Sequence, residues 1–128
     1  MYFSLDNLDI EYSTDNTPIF SFSFINDTNH KKVINYWSMQ DGGRLYSIEN
    51  YKNDQLHGIQ YQWWSVHGGG HQSSITKHKN NQRHGTQHYW YSIQYGGHQS
   101  SVINYQNGKL LGTQHYWEMD GSYYTEHY

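Results

Sequence analysis

At 128 residues and with no cysteine, the chain has room for one domain or one short repeat array and cannot form a disulfide or a thiolate metal site. Its net charge of −3, with only eight scattered Lys and Arg, leaves no basic face to follow a phosphate backbone, which argues against nucleic acid as a partner. Five Trp and fourteen Tyr stand beside one Pro and no Ala, so buried area has to come from rings, and the abundance of Tyr, Trp, Ile, Thr and Phe favours strands.

Met1 to Asn7 carries neither a basic run nor a continuous apolar stretch, and no window approaches the length of a membrane span, so a cytoplasmic chain is expected. In residues 1–17, Leu5, Leu8, Ile10 and Tyr12 suit an edge strand. Between Ile19 and Ile25, Phe20, Phe22 and Phe24 alternate with Ser21 and Ser23, the period-two mark of a half-buried strand. Asn26-Asp27-Thr28 then reads as a turn rather than a glycosylation site. Residues 1–30 are therefore expected to cap the first edge of a repeat array.

From residue 31 the chain repeats. Gly85-Thr86-Gln87-His88-Tyr89-Trp90 returns unchanged as Gly112-Thr113-Gln114-His115-Tyr116-Trp117, 112 − 85 = 27 residues on, and a looser copy, Gly58-Ile59-Gln60-Tyr61-Gln62-Trp63, lies 85 − 58 = 27 residues before it. The same interval superposes Tyr36-Trp37-Ser38, Trp63-Trp64-Ser65 and Trp90-Tyr91-Ser92, and also Gly42-Gly43, Gly69-Gly70 and Gly96-Gly97. The units are 31–57, 58–84, 85–111 and a shorter 112–128. Each reads as an aromatic strand, a glycine turn, a second strand and an Asn-centred turn (Asn53-Asp54, Asn80-Asn81, Asn107-Gly108), a hairpin joined to the next hairpin in an all-β fold. Trp117 to Tyr128 spans 128 − 117 = 11 residues where Trp90 to Tyr105 spans 105 − 90 = 15, so Ser65–Gly70 and Ser92–Gly97 are expanded loops lining one rim. Phe20, Phe22 and Phe24 fall one period before Ser47, Glu49 and Tyr51, which predicts that the Tyr51 face is the buried one.

Two segments, Glu49-Asn50-Tyr51-Lys52-Asn53-Asp54-Gln55-Leu56-His57-Gly58 and Asn104-Tyr105-Gln106-Asn107-Gly108-Lys109-Leu110-Leu111-Gly112, run on to Trp63 and Trp117. With the Gly-x-x-x-x-Trp strands they resemble the variant MORN (membrane occupation and recognition nexus) repeat of bacterial antitoxin-like and giant-virus proteins, over about Lys31 to Tyr128. The departures are the expanded loops, Asp54 and Asn81 in place of a turn glycine, and His78 in place of a tyrosine. The resemblance implies an open, single-layer antiparallel β-meander serving as a scaffold or binding surface, with no enzymatic activity in the repeats. Contact with a membrane is implied by the family alone.

Ten histidines raise the question of a metal. His30, His57 and His84 form one column at the repeat interval, His71 and His98 a second, and His88 and His115 a third. Equivalent positions lie two strands apart, about 10 Å, whereas each zinc ligand sits ~2.0–2.1 Å from the ion, so members of a column cannot share one. His78 and His84 face each other across the Asn80-Asn81 turn but lack a third ligand. Copied surface histidines are the plainer reading, and no metal or cofactor is expected. No nucleophile elbow, paired carboxylates or phosphate-binding loop is present, and no helix start follows Gly68-Gly69-Gly70, so no catalysis is expected. By strand parity Trp63, Trp90 and Trp117, with Tyr51 and Tyr105, are expected to form the packed core. The opposite face, with Gln60, Gln62, Trp64, Gln87, Tyr89, Tyr91, Gln114 and Tyr116, is the candidate binding surface, since exposed rings beside amides stack on sugars or anchor proteins. The expected function is a non-catalytic scaffold for protein–protein association, for example an assembly component of a large virus. A glycan-binding module and an antitoxin- or immunity-like protein are the alternatives. Open sheet edges at Ile19–Ile25 and at the C-terminal hairpin suit self-association.

Overall fold

The computed structural model describes residues 8–12, 18–25 and 29–128, the first two segments as strand backbone. Leu5 and the Asn26-Asp27-Thr28 turn lie outside the described residues. Thirteen strands run in sequence: β1 (Leu8–Tyr12), β2 (Pro18–Ile25), β3 (His30–Tyr36), β4 (Leu45–Lys52), β5 (Gln55–Leu56), β6 (Gly58–Trp63), β7 (Gln72–Lys79), β8 (Gln82–Arg83), β9 (Gly85–Trp90), β10 (Gln99–Gln106), β11 (Lys109–Leu110), β12 (Thr113–Trp117) and β13 (Tyr123–His127). They form one open antiparallel sheet in the order β1-β2-β3-β4-β6-β7-β9-β10-β12-β13, while β5, β8 and β11 pair with the ends of β4, β7 and β10. The sheet is a succession of hairpins and does not close into a barrel. Among the described residues no helix is long and apolar enough to cross a membrane.

Turn chemistry sets the two rims. At one rim the pairs Asn53-Asp54, Asn80-Asn81 and Asn107-Gly108 all have positive φ, 51° and 62°, 51° and 68°, and 50° and 81°. A two-residue hairpin needs that at both central positions, and Asn and Asp tolerate it without a glycine. At the other rim the loops after β3, β6 and β9 each fold a single 3-10 turn, Met39–Asp41, Val66–Gly68 and Ile93–Tyr95, closed by glycines at φ 103°, 106° and 103°. Beside each such loop the long strand carries one unpaired residue. Asn35 faces Ser47 while Tyr36 faces Leu45, which leaves Tyr46 over, and Ser73 and Ser100 are left over in the same way. The last hairpin, β12 with β13, has the short turn and no such irregularity.

Register then fixes two rows of facing residues. One face carries Ile34, Ile48, Tyr61, Ile75, His88, Val102, His115 and Thr125 in a line across the sheet. The other carries Asn35, Ser47, Gln62, Ser74, Tyr89, Ser101, Tyr116 and Tyr124. A single layer has no second sheet to bury either face. Among the described residues Ile103 is the one buried hydrophobic side chain, and the buried polar ones are Ser38, Ser47, Gln60, Ser74, Gln87, Ser92 and Gln114.

Two expectations are corrected by this arrangement. Trp63, Trp90 and Trp117 are half-buried rather than core. They stack along their own strands on Tyr61, His88 and His115, with ring centroids 6.1, 6.0 and 6.3 Å apart. Tyr51 and Tyr105 lie on the opposite face, beneath the Lys31 ammonium at 5.8 Å and the Arg83 guanidinium at 5.6 Å. The second correction concerns β2. The 27-residue alignment would set Phe20 opposite Asn35, but Ser21 pairs with Asn35 and Phe22 with Ile34. A slip of one residue exchanges the faces, so the phenylalanines occupy the register positions of the Ile34 row and not those of Tyr51.

Candidate functional site

The eight residues expected to form a binding surface divide into three groups. Gln60, Gln87 and Gln114 are not available to a ligand, which corrects the expectation that they are exposed. All three are buried, Gln87 and Gln114 with no accessible surface. The cause lies in the chain path. After the β4–β5 hairpin the chain turns at Gly58, and β6 rejoins β4 only at Ile48–Tyr61 and Ser47–Gln62; the Asn50 carbonyl accepts the His57 N–H at 2.9 Å, but the Asn50 N–H is left short of a strand acceptor. Gln60 supplies one: its Oε1 accepts the Asn50 N–H, and its Nε2 donates to the carbonyls of Asn50 at 3.0 Å and Gly58 at 3.3 Å. Gln87 repeats this on Lys77 (2.7 and 3.0 Å) and Gly85 (3.1 Å). Gln114 repeats it on Asn104, Leu111 and Gly112. The side-chain amide stands in for a peptide group, and each bond formed offsets the cost of burying it.

Gln62, Trp64 and Tyr89 do come together. With Ser73, Ser74, Trp90, Ser100 and Ser101 they line a shallow depression of about 490 Å³ between the second and third repeats. Trp64 is held against the loop backbone, since a Cβ on buried Gly68 would lie 3.0 Å from Trp64 Cβ and 3.4 Å from its ring. Its Nε1 is shielded from solvent and has no partner. The equivalents in the flanking repeats are satisfied: Trp37 Nε1 donates to the Trp63 carbonyl at 3.2 Å, and the Tyr91 hydroxyl to the Trp117 carbonyl at 2.8 Å. Burial raises the Tyr89 pKa, with the Arg83 charge opposing and Tyr105 adding, so the phenol is neutral across physiological pH.

Tyr91, farther along the third repeat, and Tyr116, in the fourth, do not line this depression. Tyr91 packs edge-on against His98 (5.1 Å) and Tyr95 (6.5 Å), and Tyr116 stacks on Tyr124 at 5.0 Å.

The loop rim forms a second feature, one that strand parity does not single out. Met39, Val66 and Ile93 open the three 3-10 turns at the repeat interval, and Met119 sits in the last turn; all four are exposed. Successive loops are tied to one another. Gln94 Nε2 donates to the His67 carbonyl at 2.6 Å, His67 Nε2 meets the Gln40 carbonyl at 3.3 Å and Asp41 Oδ1 at 3.6 Å, and His71 Nε2 meets the Tyr91 carbonyl at 2.8 Å. Thus His67, which stands outside the columns, and the columned His71 join loops. His78 is half-buried, and burial followed by the Arg83 charge lowers its pKa. Among the described residues no group of three or more His, Asp or Glu side chains could hold a metal. The signal for both missed features was present: Ser73-Ser74 recurs as Ser100-Ser101, and an apolar residue recurs in each polar loop.

Comparisons with known protein families, with curated proteins and with solved structures find no match to the chain.

Proposed function

We propose that the chain is a non-catalytic, MORN-like repeat scaffold whose loop rim docks a partner protein. The observation supporting this reading is the row of Met39, Val66, Ile93 and Met119, exposed by 72, 43, 57 and 58 %. Single apolar side chains on a surface need no explanation, but one recurring in each of four successive loops, with steps of about 10 Å, sets an apolar residue at every step of the rim. Tyr95, also exposed, adds a ring of the kind that anchors interfaces. Because the loops are bonded to one another, docking on them orders little that is not already fixed, which favours association.

The test is affinity capture with the intact chain and with a Val66→Lys/Ile93→Lys double variant. A protein captured by the first and held at least about tenfold more weakly by the second, at unchanged thermal stability, is the expected result. Equal capture by both would remove the reading. So would turnover of a substrate that is lost on changing a single His or Glu.

A further inference from the structure

In the depression between the second and third repeats several polar groups go unused by the described residues. One repeat upstream the equivalent space is filled: Tyr46 lies edge-on to Trp37 at 4.5 Å, and Ser47 Oγ accepts from Asn35 Nδ2 at 2.8 Å. One repeat downstream Tyr116 is closed off by Tyr124. In the middle, serines replace the tyrosine at both left-over positions, Ser73 and Ser100, and space opens between them. No hydrogen bond to another described residue uses the Gln62 amide, the Tyr89 hydroxyl or the hydroxyls of Ser73, Ser100 and Ser101.

The lining is as informative for what it lacks. It contains two tryptophans, a tyrosine, four serines and a glutamine, and no Asp, Glu, Lys, Arg or His. A phosphate or carboxylate entering it would lose hydration without meeting an opposite charge, and so would an ammonium group. A purely apolar ligand would strand the hydroxyls and the amide. What remains is a neutral molecule with many hydroxyls and a flat C–H face to lay against a ring, within a volume typical of small-ligand sites. We infer that this depression binds a neutral saccharide, its ring against Trp64 or Tyr89 and its hydroxyls bonded to Gln62, Ser73, Ser100 and Ser101. The site is shallow and its ligand small, so the dissociation constant is on the order of a millimolar. This inference is independent of the loop-rim reading, whose residues lie elsewhere.

The test titrates the intact, 15N-labelled chain with maltose, cellobiose, lactose and N,N′-diacetylchitobiose, reading amide and indole resonances. Saturable shifts for at least one sugar, centred on the Trp64 indole and residues 73, 74, 100 and 101, are expected. Ser73→Tyr rebuilds the upstream arrangement and should weaken binding at least tenfold. Ser100→Ala, which removes one hydroxyl and little else, should weaken it several-fold and covers the case in which Ser73→Tyr disturbs the fold. Val66→Lys/Ile93→Lys should leave it unchanged. The inference is overturned if none of the four sugars produces a saturable shift, if the shifts survive both site variants, or if glycerol or inorganic phosphate shifts the same residues equally.

Discussion

The two rims of the sheet repeat with different strictness. Where the Asn turns lie, Gln60, Gln87 and Gln114 make the same clip three times over, with the same atoms. Toward the loops the corresponding positions diverge: Trp37, Trp64 and Tyr91 in one column, Tyr46, Ser73 and Ser100 in another. A hairpin that rejoins its neighbour late leaves one backbone N–H without a strand acceptor each time, and each repeat solves that problem alike. On the loop side the shared turn is closed by backbone bonds, so the side chains beside it are free to differ, and the depression exists because two of them are small.

The largest effect should come from breaking the uniform rim. Gln87→Leu removes the acceptor of the Lys77 N–H and leaves that donor unpaired beneath an apolar side chain, which costs about 1–3 kcal/mol, a large share of a small domain's stability, measurable as a lowered urea midpoint. Gln87→Glu sharpens the point, because a carboxylate would face the carbonyls of Lys77 and Gly85. Its folded pKa would rise above the unfolded value, so the folded form binds the extra proton; stability is lost as pH rises through that range and regained in acid. A Gln87→Leu variant as stable as the parent would refute the clip.

A smaller effect tests the divergent rim. Trp37→Phe and Trp64→Phe delete the same atoms, but only Trp37 gives up a hydrogen bond, to the Trp63 carbonyl. Trp37→Phe should therefore cost about 1 kcal/mol more than Trp64→Phe, and equal losses would mean that the two repeats are equivalent after all. The last effect vanishes at neutral pH. Burial, the hydrogen bond to Glu49 and the charge of Glu49 together push the Tyr51 phenol up to about 12. An unfolded tyrosine ionises near 10, so the folded state holds this proton longer and stability falls as pH climbs from about 10 to 12. In an ultraviolet titration the Tyr51→Phe difference should show one late phenol, and Glu49→Gln should bring it back toward 10.

The repeat interval, the hairpins and the Asn turns were legible because they depend on local chemistry: left-handed residues at Asn53 to Asp54 announce themselves, and strand parity follows. Parity did not reveal where Gln87 turns its amide, since an amide that faces a neighbouring peptide and one that faces water occupy the same alternate position. The aromatic core was misplaced for a physical reason. A single layer has no interior, and its rings cover one another along and across strands instead of meeting in the middle. The phase of Phe20 to Phe24 departs from the repeat because period counting assumes that no residue is gained or lost between units, and one register step suffices to exchange faces. Of the surface residues singled out in advance, Gln62, Trp64 and Tyr89 converge, while the serines between them carry too little sequence signal to stand out alone.

The ties between loops have a consequence for how such a chain can change length. A Cβ on Gly42 would lie 2.9 Å from Val66 Cγ1, and one on Gly69 would lie 3.1 Å from Ile93 Cβ. At these two junctions the loop of one repeat thus provides a notch for the branched side chain of the next. A duplicated unit inserted between two others would find a seat already cut and would cut an identical one for its successor. The chain can therefore grow or shrink by whole 27-residue modules, each adding about 10 Å of reach, without inventing a new junction.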